Sequence, residues 1–282
     1  MIEPSTQEAI LARLHSPVAR PSARAMQQAA EFVLRCQNAD GGFGSYEARR
    51  HARLSIDWLN PSEMFGACMT ERSYVECTAS CVSALSAYRS RWPARLGRRL
   101  DDAIDRGVAR LRAAQLPDGS FEGMWGVHFI YGTLFGIHGL LAGGVPPVDP
   151  QIRRACAWLL ERQRPDGGWG EHFSSVTEHR YVDHGEPQVV QTAWALRALL
   201  EAEEPDFPAL ERAGAFLART QLPDGTWPKQ DPEGIFFHTA LLEYRLYRAY
   251  FPTWALGELA TRAADRASWR EAPRREHRPV AG

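Results

Sequence analysis

Apolar positions recur along this chain in two helical patterns. Leu210, Ala213, Phe216 and Leu217, three or four residues apart, draw a single stripe, as on a helix with one buried face. Between Pro187 and Glu203, Val189, Val190, Ala193, Trp194, Leu196, Leu199 and Leu200 cover more than one face, and Gly132–Gly143 is apolar nearly all round. Helices of the second kind belong inside, surrounded by helices of the first. A short helix is also expected near Thr6–Leu14.

Four related segments punctuate these helices: Gln37-Asn-Ala-Asp-Gly-Gly-Phe43, Gln115-Leu-Pro-Asp-Gly-Ser-Phe121, Gln163-Arg-Pro-Asp-Gly-Gly-Trp169 and Gln221-Leu-Pro-Asp-Gly-Thr-Trp227. Such a turn stops a helix, because proline lacks an N–H and glycine accepts positive φ. The aromatic residue can fold back on the preceding helix, and the glutamine amide can bond backbone groups of a neighbour. Repeats of this kind, alternating outer and inner helices, predict an all-α fold. The expected form is a single α/α toroid of about five to six helical hairpins. Inner-helix N-termini would meet at one end, around a cavity lined by Trp and Tyr. Residues 1–262 are expected to form this one domain and 263–282 a basic, frayed tail.

Composition narrows the function. The 282 residues are 44% hydrophobic and carry nine tryptophans, enough for a sizeable core. The net charge of −1 gives no field to draw nucleic acid. The longest apolar run, Phe129–Val145, is interrupted by glycines and His138, too broken for a membrane span. Five cysteines at 36, 68, 77, 81 and 156, with no CxxC pair, fit reduced thiols in a cytoplasm, and no secretory signal opens the chain. Lys229 is the only lysine among 33 basic residues, a bias typical of GC-rich bacterial genomes.

The glutamine-to-tryptophan turns resemble the QW motifs of triterpene cyclases, the squalene-hopene and oxidosqualene cyclases. Further stretches are similar to the oxidosqualene type: Gly41-Gly-Phe-Gly-Ser-Tyr-Glu47, Leu59-Asn-Pro-Ser-Glu-Met-Phe-Gly66, Tyr74-Val-Glu-Cys-Thr-Ala-Ser80, Trp125-Gly-Val-His-Phe-Ile-Tyr-Gly-Thr133, Gln191-Thr-Ala-Trp194 and Phe251-Pro-Thr-Trp-Ala-Leu-Gly257. The likeness spans roughly residues 25–260 and corresponds to the C-terminal portion of a full cyclase. In size the chain resembles small single-domain class II cyclases of prenylated aromatic compounds.

The resemblance implies protonation-initiated cyclisation of a linear polyprenyl, epoxidised or prenylated aromatic (meroterpenoid) substrate, with no metal or cofactor. The family's initiating aspartate, in an Asp-Cys-Thr-Ala-Glu or Asp-x-Asp-Asp motif, has no counterpart in this sequence. Protonating an alkene requires a neutral carboxylic acid in a dry site, with donors ready for the carboxylate left behind. Glu76 opens an apolar helix and is the first candidate, although family members keep a glutamate there without using it as donor. Glu186, Asp183 and Asp57 follow. Cys77 matches a cysteine that bonds the family's aspartate. His128 stands where Trp-Gly-Val-Cys-Phe commonly has cysteine, and could polarise the acid or accept the final proton. Tyr46, Trp125, Tyr131, Phe236 and Tyr244 match the family's cavity positions, with Trp194 and Phe237 beside them; their ring faces would stabilise cations.

Two other readings remain open. One is a non-catalytic or heteromeric isoprenoid-binding protein that lacks its own acid. The other is a zinc-dependent relative of prenyltransferase β subunits, for which Cys77 and His238 are the thin support. Peripheral membrane contact and homo-oligomerisation are compatible with the sequence.

Overall fold

The structure, a computed structural model, describes residues 22–45, 72–236 and 240–271. Thr6–Leu14, Tyr46, Asp57, Phe237 and His238 lie outside them. Four helices with one buried face form an outer row: α1 (Ala23–Arg35), α3 (Gly97–Ala114), α5 (Pro150–Glu161) and α8 (Phe207–Thr220). The inner row is α2 (Val75–Arg91), α4 (Phe129–Ala142), α7 (Val189–Glu201) and α9 (Tyr247–Glu271). Each inner helix packs against the next, α2 on α4, α4 on α7 and α7 on α9, while the outer helices lean on the inner ones. This is the helical-hairpin arrangement of an α/α toroid. Four hairpins form among the described residues, against the five or six expected. One helical turn, α6 (Ser175–Glu178), and a two-stranded antiparallel sheet, β1 (Gly234–Phe236) with β2 (Ala240–Leu242), complete the elements.

Burial follows the two sequence patterns. Outer α3 buries Leu100, Ala103, Ile104, Gly107 and Leu111, a single stripe, whereas inner α7 buries every residue from Val189 to Leu200. At about 1.5–3 kcal/mol per large apolar side chain, the inner row carries most of the hydrophobic stabilisation.

Three of the four turns bind a neighbour as the sequence suggests, while Gln221 donates within its own turn at the Gly225 carbonyl. Gln37, Gln115 and Gln163 each donate Nε2 to their own turn, at the carbonyls of Gly41, Gly119 and Gly167. Each also donates to the next outer helix, at the carbonyls of Ala103, Gln151 and Ala209 (2.8 Å in each case). Arg106, Arg154 and Arg212 bind the opposite amide oxygens. Trp169 and Trp227 fold back and donate Nε1 to Leu159 and Leu217 carbonyls at 2.7 and 2.9 Å. A further regularity ties each turn to an inner helix. The amides of Phe43, Phe121 and Trp169 donate to the hydroxyls of Thr78, Thr133 and Thr192, at 3.0, 3.1 and 2.9 Å.

Three of the four outer helices are capped by their own side chains; α3, preceded by Leu96, is not. Ser22, Asp149 and Asp206 cap α1, α5 and α8 with their own side chains, as local sequence dictates. Inner α4 and α7 have no such cap; groups distant in sequence reach their first amides, Glu171 at α4 and Gln230 at Val189 of α7. Polar groups thus collect at the N-terminal end of the inner row. The last helix runs through Glu271, so residues 263–271 are helical where a tail was expected. Ala263, Ala264 and Ala267 favour helix, and the next breaker is Pro273.

Candidate active site

Glu76 sits in the first turn of α2 with no exposed surface. Its Oε1 accepts hydrogen bonds from the amides of Met124 (2.7 Å) and Trp125 (2.8 Å), in the segment leading into α4. Its Oε2 is buried and has no hydrogen-bond partner among the described residues. Burial pushes the carboxyl above its ordinary range; backbone hydrogen bonds and nearby His128 pull the other way. One oxygen is therefore held for a carboxylate, and the other is free to carry a proton.

His128, 3% exposed, directly precedes α4. Its Nε2 lies 3.0 Å from Glu122 Oε1, the same oxygen that meets His179 Nδ1 at 2.9 Å. The bond to His128 is the main cause holding the Glu122 carboxyl down at about 2. The His128 Nδ1 is buried without a hydrogen-bond partner among the described residues. Glu171, itself 2% exposed, fixes the turn below: its carboxylate accepts from the amides of His128, Phe129 and Ile130 at 2.9–3.0 Å. A carboxylate at a helix N-terminus meets both the free amides and the positive end of the dipole. Gln191 of α7 in turn grips the Glu171 backbone.

Glu76 and His128 share the wall of an open cleft of about 810 Å³, with Arg72, Tyr74, Arg110, Glu122, Met124 and His179. Its rim is more polar than the aromatic cavity expected. Trp125, Tyr131, Trp194 and Tyr244 are not part of that wall. Trp125 donates its indole N–H to Ser45 Oγ at 2.9 Å, and Ser45 touches Cys77 Sγ at 3.8 Å. Tyr131 contacts Phe135 and Trp194, and Trp194 contacts Tyr247 and Phe251, with ring centroids 4.8–6.0 Å apart. Tyr244 stacks on Tyr247 at 4.7 Å. Tyr131 joins the two groups: burial first, then the charges of Tyr247, Glu76, Cys77 and Tyr244, push its phenol well above its ordinary value. Trp194 is fully buried, a core position. Phe236 is placed by its backbone in β1, whose neighbouring residues Glu233 and Ile235 bond Val127 and Trp125.

Two of the alternative acids fall away. Glu186 is exposed, and Asp183 is exposed and paired with Arg164 at 2.9 Å, so neither sits in a dry site. Among the described residues, no group of three His, Cys, Asp or Glu side chains is arranged to hold a metal ion.

Residues 6–261 match the squalene-hopene cyclase C-terminal domain family. The chain belongs to that family. Human lanosterol synthase is 39% identical over 243 residues, 85% of this chain and 33% of that protein. Cycloartenol synthase of Dictyostelium discoideum is 43% identical over 226 residues, 79% of this chain and 32% of that protein. The chain thus spans about a third of the length of these relatives. Among solved structures, a variant of the type II terpene cyclase MstE from Scytonema, in complex with geranylgeranyl dihydroxybenzoate, superposes with a TM-score of 0.63. That likeness covers 93% of this chain and 73% of MstE at 22% identity, and shows a shared fold.

Within this cyclase-family chain, sequence reasoning missed Ser45, Glu122, Glu171, His179 and Tyr247. A signal existed for three of them. Ser45, Glu122 and Glu171 all fall one or two residues after a turn aromatic, where the chain leaves the turn for the next inner helix.

Proposed function

We propose that this chain is a class II terpene cyclase domain that closes rings by protonating an olefin or oxirane. The single observation carrying this reading is Glu76, fully buried with one oxygen bound by two amides and the other unpartnered. The Oε2–H proton would pass to an alkene carbon or an oxirane oxygen. The protonated alkene spends its own π electrons on the new C–H bond, or the protonated oxirane breaks a C–O bond toward oxygen. The π electrons of the next double bond then form the new C–C bond at the resulting cation. The carboxylate left behind keeps its two amide donors and the helix N-terminus. Cation charge would move along Trp125, Tyr131, Tyr244 and the neighbouring rings, each contributing roughly 0.5–2 kcal/mol when desolvated. Loss of a proton to His128 Nδ1 would end the cascade, with Cys77 tuning the acid through its place beside Ser45 and Tyr131. No cofactor enters the scheme.

The substrate class we infer is a linear polyprenyl chain, epoxidised or attached to an aromatic ring. Two of the relatives are a lanosterol synthase and a cycloartenol synthase, and a variant of MstE was solved with geranylgeranyl dihydroxybenzoate. Leu246 (72% exposed) and Leu222 (41%), with Arg245, border one surface hollow and would give a peripheral contact with membranes holding such substrates. Incubation with prenylated aromatics and epoxides in D₂O tests the reading. A cyclised product carrying one carbon-bound deuterium is expected from an olefin substrate. Failure to cyclise any member of the panel overturns it.

A further inference from the structure

The Glu122 carboxylate lies between two imidazoles, and an ionised carboxylate only accepts hydrogen bonds. Both His128 Nε2 and His179 Nδ1 must therefore donate to it. We infer that Glu122 is a positioning residue that fixes His128 as its Nε2–H tautomer, leaving Nδ1 as a bare acceptor at the wall shared with Glu76. His179 holds Glu122 in place from the surface side. The other charged groups around the imidazole are consistent with this. Glu171 engages the His128 backbone amide and not the ring, Glu76 directs Oε1 to Met124 and Trp125, and Arg72 and Arg110 line the same cleft. Nothing else among the described residues bonds either ring nitrogen, so the tautomer rests on Glu122 alone. The same logic orients the imidazole of hydrolytic triads, where losing the carboxylate leaves the wrong tautomer and costs about four orders of magnitude in rate.

The inference rests on the proposed function only in giving Nδ1 a task; the tautomer itself can be read without turnover. With ¹⁵N-labelled histidine, the wild-type His128 signal, assigned by its loss in His128→Gln, should show a protonated Nε2 and a bare Nδ1. Glu122→Ala should shift His128 to a mixture or to the Nδ1–H form. Glu122→Gln, which keeps the side chain's shape, guards against a folding defect and should also lose the single tautomer. An unchanged tautomer in both variants, or a wild-type Nδ1–H form, overturns the inference. With a substrate that the wild type cyclises, Glu122→Ala should lower kcat at least about tenfold and leave KM within about twofold. A raised KM with unchanged kcat would contradict the positioning role. An active Glu76→Gln variant would remove the proposed acid and leave the tautomer result standing.

Discussion

Glu76 and Glu171 are both buried glutamates at inner-helix N-termini, and their surroundings separate their tasks. Glu171 spends both oxygens on three consecutive amides, those of His128 and the first two residues of α4, a structural cap. Glu76 spends one and keeps the other unpartnered. Because burial raises the folded-state value above the ordinary 4.5, the stability linked to Glu76 is fully present below that pH. It is lost as pH rises from there through the raised folded value. Glu233, pushed up to about 7 mainly by burial, adds the same trend between its ordinary value and about pH 7. Glu76→Gln should therefore gain stability relative to wild type as urea unfolding is moved from pH 5 to pH 8, the Glu233 contribution cancelling between the two proteins. Parallel stability curves would show that Glu76 ionises in the fold as it does in water. The sequence pointed to Glu76 through its place at a helix start and to His128 through the cysteine it replaces in the family's Trp-Gly-Val-Cys-Phe stretch. It was silent on Glu122 with His179, since contacts 57 residues apart leave no periodic trace.

At the scale of elements, the turns were legible because their chemistry is local and repeated. Gly119 and Gly225 separate two causes of glycine at the same place in that turn. Both have positive φ (100° and 84°), but a Cβ on Gly119 would meet the Arg154 carbonyl at 2.7 Å, whereas Gly225 faces open space. Gly225→Ala should cost about 1–2 kcal/mol, the conformational penalty alone. Gly119→Ala should cost clearly more in the same denaturation assay; equal losses would remove the close approach to α5 as a reason for glycine. Gln163→Ala, which deletes two donated bonds and the acceptor for Arg212, should destabilise by roughly 1–3 kcal/mol. A change below a few tenths would deny the turn its role as a clamp. The β1–β2 pair escaped the sequence reading because its strands are only three residues long, too short to display alternation.

For the whole molecule, alternating outer and inner helices place every unusual polar group of the site at one end of the inner row. Arg197, Glu201, Glu258 and His138 tie α4, α7 and α9 together farther along the same helices. These pairs join three inner helices without using the carboxylates of the site. No helix among the described residues is long and apolar enough to cross a membrane. Vesicle co-sedimentation of the full chain should be weakened by Leu246→Asp; identical partition of the two proteins would reject the Leu222–Leu246 face as the contact. The most direct measurement is product formation by wild type and Glu76→Gln on one prenylated substrate, with circular dichroism confirming equal folding. The account predicts ring closure by the wild type and a loss of at least about a hundredfold in the variant. Undiminished cyclisation by Glu76→Gln would contradict it.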